Sequence, residues 1–520
     1  MCGQEFFERY EDWPRDCSIE GTLIVSDSVA SLLANRFHVL DSRVGQFPAR
    51  SRAATILGAD AEALTLQKGL ESRFAQVDRI ASADEIGLLP ANTVLLWCES
   101  RELAEIPEAE RTAIGAIARD HLREGGMFCA VGLVAEGIGQ WTTKKSDGGW
   151  EPEPSGLNLF PDGWIVFHEE GGAAREATVV PPELAQRCVA VSLERGSALV
   201  LSGRRVCLRG SGSATFSLAA SGHLPAKTHR LHERTGDVST AASSALLDWT
   251  QWRREAIERT LEPFPPEYAA APRLANGTLV IVGGGGMPRG LMRQFVDFAG
   301  AMEAELVYVP CLESEDAGGE ARMLDEWKAM GVQRCTMLHT KDRSRANEDA
   351  AFLEPLRSAT GIWFGGGRQW NFADSYYGTA AHRLMKEVLQ RGGVIGGSSA
   401  GASIQADYLA RATPIGNTKI IAPGYERGGL GFLRGVAIDQ HFSERNRQQD
   451  LRTLVQTYPQ LIGIGIDETT ALIVREATAE VVGEGQVYVY SADRQTQAFQ
   501  EEIYSDGAKV NLSKRGQPSE

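Results

Sequence analysis

Long apolar runs are missing from this 520-residue chain: nowhere do eighteen uncharged apolar residues follow one another, which leaves no candidate for a membrane-spanning helix. Residues 1–21, MCGQEFFERYEDWPRDCSIEG, carry acids throughout and no apolar stretch of signal-peptide length, so a cytoplasmic protein is expected. A basic excess is missing too. Lys and Arg number 53 against 68 Asp and Glu, and a net charge of −15 argues against nucleic acid or an anionic membrane as partner, since both need a basic face. Paired cysteines are also absent. The eight (Cys2, Cys17, Cys98, Cys129, Cys188, Cys207, Cys311 and Cys335) form no CxxC, and several sit in apolar runs such as Met127-Phe128-Cys129-Ala130. They read as reduced thiols in or near a core, with neither a zinc cluster nor a disulfide framework indicated. Nothing in the sequence calls for a metal or cofactor.

What is present is a globular balance, 43% apolar and 23% charged residues, in a chain long enough for two domains of about 200 residues each. Between 226 and 275 polar residues lead to a predicted helix, Ala241 to Thr260, and then to Leu261-Glu262-Pro263-Phe264-Pro265-Pro266, which reads as a linker. Beyond it β-rich runs alternate with helical ones, as in a parallel α/β sheet. Candidate strands include the β-rich run Gly277 to Val282, Glu305 to Val309, Gly361 to Phe364 and Gly393 to Gly396.

The two halves echo one another. Gly21-Thr22-Leu23-Ile24-Val25 matches Gly277-Thr278-Leu279-Val280-Ile281, and Glu124-Gly125-Gly126-Met127-Phe128 matches Arg391-Gly392-Gly393-Val394-Ile395. Gly156 to Phe160 matches Gly429 to Leu433, and Gly196 to Leu201 matches Thr469 to Val474. The offsets stay ordered and grow in small steps, as insertions and deletions would make them, which predicts a duplicated α/β domain.

The second half carries the chemistry. Ser399 lies in Gly397-Ser398-Ser399-Ala400-Gly401, between a buried strand and the start of a helix. A serine at such a turn is strained and exposed, and small neighbours free backbone N–H groups to hold an oxyanion. A serine needs a base, and His441, one of nine histidines, stands at a strand end in Asp439-Gln440-His441-Phe442. Asp467 and Glu468 end a further apolar run, and either is placed to orient an imidazole, with Glu468 preferred. The loop Gly365-Gly366-Gly367-Arg368-Gln369 brings backbone amides close to a ligand. Gly366 and Gly367, with Ala400 after the serine, are the expected oxyanion donors. The run Gly283 to Gly286 is no dinucleotide fingerprint, because Pro288 stands where the last glycine is needed.

In order along the chain, Gly-Gly-Gly-Arg-Gln at 365–369, Gly-Gly-Ser-Ser-Ala-Gly-Ala at 396–402, Asp-Gln-His-Phe at 439–442 and Gly-Ile-Asp-Glu at 465–468 resemble the cyanophycinase-like serine peptidases. That is peptidase family S51, related to aspartyl dipeptidase (dipeptidase E). The resemblance spans about 276–490. It implies a glutamine-amidotransferase-like (flavodoxin-like) fold, a three-layer α/β/α domain on a parallel sheet, here duplicated. It also implies a Ser399-His441-Glu468 relay with Gln369, Asp439, Gln440, Arg445 and Arg447 near the substrate. The substrate implied is a peptide or the cyanophycin polymer, a polyaspartate with arginine on its β-carboxyls, cleaved to β-aspartyl-arginine. Arginines suit aspartyl carboxylates and Asp439 suits a substrate cation. Two departures bear on specificity: Arg368 replaces the usual acid before the glutamine, and Asp450 stands where a further arginine is expected.

The first copy has lost this equipment. Gly132 falls opposite Ser399, Arg195 opposite Glu468, and Trp97-Cys98-Glu99-Ser100-Arg101 replaces the glycine loop, while His168 persists as a structural residue. The expected organisation is an extension at 1–20, a non-catalytic copy at 21–225, a linker with a helix at 226–275, the catalytic domain at 276–500 and a tail at 501–520. The rival readings are a soluble (iso)aspartyl dipeptidase without polymer activity and an acidic-peptide-binding pseudoenzyme. A homodimer is compatible with the sequence.

Overall fold

The computed structural model describes residues 19–33, 53–58, 60–71, 74–86, 89, 93–99, 103–146, 149–153, 155–168, 188–232, 247–318, 322–414, 419–496 and 498–512. The chain divides into two compact units, Cys17–Leu261 and the part from Glu262 onward. No helix among the described residues is long and apolar enough to cross a membrane.

Strands of the first unit are β1 (Ile19–Ser26), β2 (Ala53–Leu57), β3 (Gln76–Ile80), β4 (Thr93–Glu99), β5 (Met127–Gly132), β6 (Gly139–Ser146), β7 (Gly149–Glu153), β8 (Phe160–His168), β9 (Val189–Glu194), β10 (Ser197–Gly203), β11 (Arg205–Gly210), β12 (Ser213–Leu218), β13 (Lys227–His232) and β14 (Leu247–Asp248). Those of the second are β15 (Thr278–Val282), β16 (Glu305–Val309), β17 (Arg334–Met337), β18 (Gly361–Phe364), β19 (Val394–Ser398), β20 (Ala406–Tyr408), β21 (Leu433–Gln440), β22 (Ile462–Ile466), β23 (Thr470–Arg475), β24 (Thr478–Gly483), β25 (Val487–Ala492), β26 (Phe499–Tyr504) and β27 (Lys509–Asn511).

Each unit holds one large and one smaller sheet. The large sheets run β14-β11-β10-β1-β5-β4-β2-β3 in the first unit and β27-β24-β23-β15-β19-β18-β16-β17 in the second, the same order strand for strand. The smaller sheets run β13-β12-β9-β8-β6-β7 and β26-β25-β22-β21-β20, again in step apart from the extra β7. Registers match as well. Thr22 lies opposite Met127 and Leu23 opposite Leu201, just as Thr278 lies opposite Val394 and Leu279 opposite Val474. The stretches that echo in sequence therefore occupy equivalent places, and the chain is a duplicated α/β domain.

In the second unit, β17, β16, β18, β19 and β15 are parallel, and β23, β24 and β27 extend the edge antiparallel. Strands buried on both faces read as continuous apolar runs, which Leu279-Val280-Ile281-Val282 illustrates. Val280 and Val282 join the core under helices α1 (Leu291–Phe298) and α2 (Arg322–Ala329), through Phe295, Val296 and Trp327. Leu279 and Ile281 face α3 (Ala350–Ser358) and α4 (Ala380–Gln390), and the same core takes in Ile438, Ile464 and Val489 of the smaller sheet. Helices on both faces make the expected three layers, and the smaller sheet with the antiparallel edge is what the sequence reading did not contain. Apolar runs such as Ile462–Ile466 and Thr470–Arg475 mark buried strands without saying which sheet each one joins.

The segment set down as a linker carries β14 and a helix at Trp249–Glu258 whose Trp249, Trp252 and Ala256 enter the first unit's core. Asp248 caps that helix through the N–H of Gln251 at 2.9 Å. The stretch 241–246 of the predicted helix lies outside the described residues, as do residues 513–520 of the tail; β27 lies within the rest of that tail. The helix expected after Ser399 is a single turn, α5 (Ala400–Ser403), and its Gly401 packs against the Phe364 carbonyl so closely that a Cβ would come within 2.1 Å of it.

Candidate active site

Three neighbouring parallel strands deliver loops to one edge: β15 ends in Gly283–Gly286, β18 in Gly365–Gly367 and β19 in Ser399. Beside them β21 and β22, paired in parallel, end at His441 and lead to Glu468. The C-terminal ends of parallel strands are where side chains of α/β proteins converge on a ligand.

Ser399 has φ 56° and ψ −111°, a left-handed backbone that a residue with a Cβ rarely adopts. Its N–H is tied to the Val282 carbonyl at 3.0 Å, and the turn leads directly into α5. The Ser399 hydroxyl lies 2.9 Å from His441 Nε2, and His441 Nδ1 lies 2.5 Å from Glu468 Oε1. With Nδ1–H donating to the carboxylate, Nε2 is left to accept from the serine, the tautomer that activates a hydroxyl. Burial pushes the His441 imidazolium pKa below its ordinary value, Arg445 and Arg447 push the same way, and the Glu468 hydrogen bond opposes them. The result is a ring that is neutral, and so basic, at neutral pH.

Asp467 and Glu468 part company here. Glu468 reaches the imidazole and is about one-third exposed (35%), whereas Asp467 is buried and accepts the backbone N–H groups of Ser443 and Gln486. The glycine run after β15, which carried no role in the sequence reading, is what makes room for the pair. A Cβ on Gly284 would stand 2.3 Å from His441 Cε1, and one on Gly285 2.2 Å from Glu468 Oε2. In the first unit the corresponding positions are Ser28 and Val29. A sequence signal existed, four consecutive glycines at a strand end, but its meaning depends on what packs there.

Gly365 N–H bonds to the Val309 carbonyl, and a Cβ on the exposed Gly366 would sit 3.7 Å from the Ser399 Cβ. Gly367 is next along, with φ 148° and its back against Cys311. Ala400 opens α5, so its N–H has no intrahelical acceptor.

The residues placed near the substrate divide. Gln369 is buried and its Nε2 donates to the carbonyls of Ala410 and Arg411. Asp439 is 1% exposed, and its carboxylate is held by Arg411 Nε at 2.9 and 3.0 Å and by Arg447 Nη1 at 2.9 Å. Burial pushes the Asp439 carboxyl above its ordinary value, and the guanidiniums of Arg411 and Arg447 oppose that shift. Arg447 also donates to the backbone and side-chain oxygens of Gln440, which is buried. Arg445 is exposed. Arg411, absent from the sequence reading, reaches on to Asp450 at 2.7 Å, so the acid at 450 is matched by an arginine on another segment. Arg368 is half exposed and faces Glu313 at 3.6 Å. Among the described residues no group of three or more His, Cys, Asp or Glu side chains is arranged to hold a metal ion.

In the first unit, Gly132 keeps the Ser399 backbone, φ 83° and ψ −147°, without a side chain. Strand pairing sets His168 opposite Glu194 and Gln440 opposite Ile466, so His168 ends β8 at the position that follows β21 as His441.

Comparison with known proteins bears on the second unit. The sequence model for peptidase family S51 matches residues 273–482. The chain is 28% identical over 221 residues to a cyanophycinase of Trichormus variabilis, covering 41% of this chain and 74% of that protein. It is 29% identical over 220 residues to a cyanophycinase of Geminocystis herdmanii, covering 42% and 80%. A crystal structure of a peptidase from an acI-B1 actinobacterium aligns over 46% of this chain and 98% of its own, at 22% identity and a TM-score of 0.34. The likeness to peptidase family S51 thus lies in residues 273–482 of this chain.

Proposed function

We propose that the second unit is a serine-type peptidase that hydrolyses cyanophycin or aspartyl and β-aspartyl peptides. The observation that carries this reading is the unbroken hydrogen-bonded line from the Ser399 hydroxyl through His441 to Glu468. In the proposed reaction His441 Nε2 takes the hydroxyl proton as Ser399 Oγ attacks the scissile carbonyl, and the N–H groups of Gly366, Gly367 and Ala400 receive the oxyanion. His441 returns the proton to the leaving amine, and water repeats the sequence on the acyl-serine. Among the residues assigned to the substrate, the exposed Arg445 suits an aspartyl carboxylate, while Arg447 is engaged by Asp439 and by the buried Gln440. Catalysis is assigned to 276–500, with 21–225 a non-catalytic copy.

A soluble (iso)aspartyl dipeptidase without polymer activity is the second reading. It is favoured by Asp439, whose carboxylate already receives Arg411 and Arg447. Incubating the protein with cyanophycin and with β-aspartyl dipeptides, followed by mass spectrometry, tests both. Release of β-aspartyl-arginine from the polymer supports the first, hydrolysis of dipeptides alone supports the second, and no hydrolysis of either contradicts both.

A further inference from the structure

Asp467 stands outside the line of reacting groups, yet its contacts converge on the backbone that carries it. Its carboxylate accepts Ser443 N–H at 2.9 Å on one oxygen and Gln486 N–H at 3.0 Å on the other, and its own N–H donates to the Gln486 carbonyl at 3.1 Å. Ser443 lies two residues after His441, and Asp467 immediately precedes Glu468. One buried side chain thus joins the turn that bears the imidazole, the turn that bears the carboxylate and the entry to β25. Thr470 makes a second tie on the far side of Glu468, donating to the Glu468 carbonyl at 3.0 Å and accepting Gly485 N–H at 2.8 Å.

Both turns need holding. His441 has φ 47° and Thr469 φ 51°, left-handed backbones that residues with a Cβ keep only where their surroundings fix them. The short His441–Glu468 hydrogen bond joins the turns that follow the paired strands β21 and β22, and beyond the last ladder pair, Gln440 with Ile466, the spacing of those turns rests on loop contacts such as Glu468 N–H to the Glu444 carboxylate at 3.1 Å.

We propose that Asp467 is a positioning residue that sets the His441 imidazole against Glu468 by fastening their two turns together. The proposal rests on reading Ser399, His441 and Glu468 as the reacting line. The groups facing His441 are Ser399, Glu468, Arg445 and Arg447; Asp467 holds the two backbone donors, and its charge is felt by the Tyr488 phenol. Asn at 467 keeps the size but sets an NH2 group against one of the two backbone donors, so one tie is lost whichever way the amide turns.

The test is Asp467→Asn, followed by the rate of Ser399 modification by a fluorophosphonate and by the NMR titration of the His441 ring. The labelling rate is expected to fall roughly tenfold or more, the size that small misplacements of reacting groups produce, and the ring titration to move. A variant that melts earlier but labels at the wild-type rate and titrates as wild type has lost only stability, and that result overturns the proposal. Should the variant not fold, amide exchange in the wild type decides. Ser443 N–H should exchange roughly a hundredfold more slowly than Glu444 N–H in the same turn, as a held amide does beside an open one. Equal rates overturn the proposal. Absence of labelling in the wild type contradicts the serine reading instead, while titration and exchange still report on Asp467.

Discussion

At the scale of single residues, the imidazole of His441 decides how the site responds to pH. Its proton affinity lies below the ordinary histidine value of 6.5, because burial and the nearby Arg445 and Arg447 disfavour the cation more than Glu468 favours it. A base must be neutral to act, so the acid limb of kcat/KM should fall below pH 6.5. Replacing Arg445 with Gln removes a positive charge, raises the proton affinity of the ring and should move that limb to higher pH, by less at high salt. A limb that stays in place would show that Arg445 is too well solvated to matter. Gly284 offers a steric test. A Cβ there meets the imidazole at 2.3 Å, and the backbone has φ 106°, so Gly284→Ala should cost roughly a hundredfold in kcat. Steady-state kinetics on a β-aspartyl dipeptide would check it, with near-UV circular dichroism establishing that the variant folds.

At the scale of elements, the site is an assembly of strand ends, and this explains what the sequence disclosed. Ser399, His441 and Glu468 each sit where a continuous apolar run gives way to polar residues, a local signal that survives in one dimension. The choice between Asp467 and Glu468 could not be made there, because adjacent residues after a strand point to different neighbours and only the packing says which neighbour is the histidine. The glycines after β15 were likewise visible without being interpretable. Arg411 left no signal, for its partner Asp439 is 28 residues away and its own φ is 55°. That pairing predicts a stability effect. Asp439→Ala leaves Arg411 and Arg447 buried without their carboxylate, and breaking a buried ion pair in this way costs about 3–5 kcal/mol. Chemical denaturation should show the loss. A change under about 1 kcal/mol would mean that the two arginines find other acceptors or water.

At the scale of the whole molecule, one fold is present twice with its registers preserved and its chemistry divided. The echoes at Thr22 and Thr278, and at Leu201 and Val474, were legible because strands buried on both faces tolerate few residue types. The division of the later strands between a smaller sheet and an antiparallel edge was not, since it depends on which strands pair, and pairing leaves little mark in composition. The first unit retains the turn at Gly132 but has Ser28 and Val29 where Gly284 and Gly285 clear space, and Arg195 in place of Glu468. Restoring a hydroxyl there is therefore insufficient: Gly132→Ser in a Ser399→Ala background should leave hydrolysis at the Ser399→Ala level. Recovery of activity would show that the first unit still holds a working base. The most direct test of the central claim is mass spectrometry of the full chain after reaction with a fluorophosphonate. The account predicts one adduct, mapped to Ser399 and absent from Ser399→Ala; a folded wild-type protein that takes up no label, or takes it up elsewhere, contradicts it.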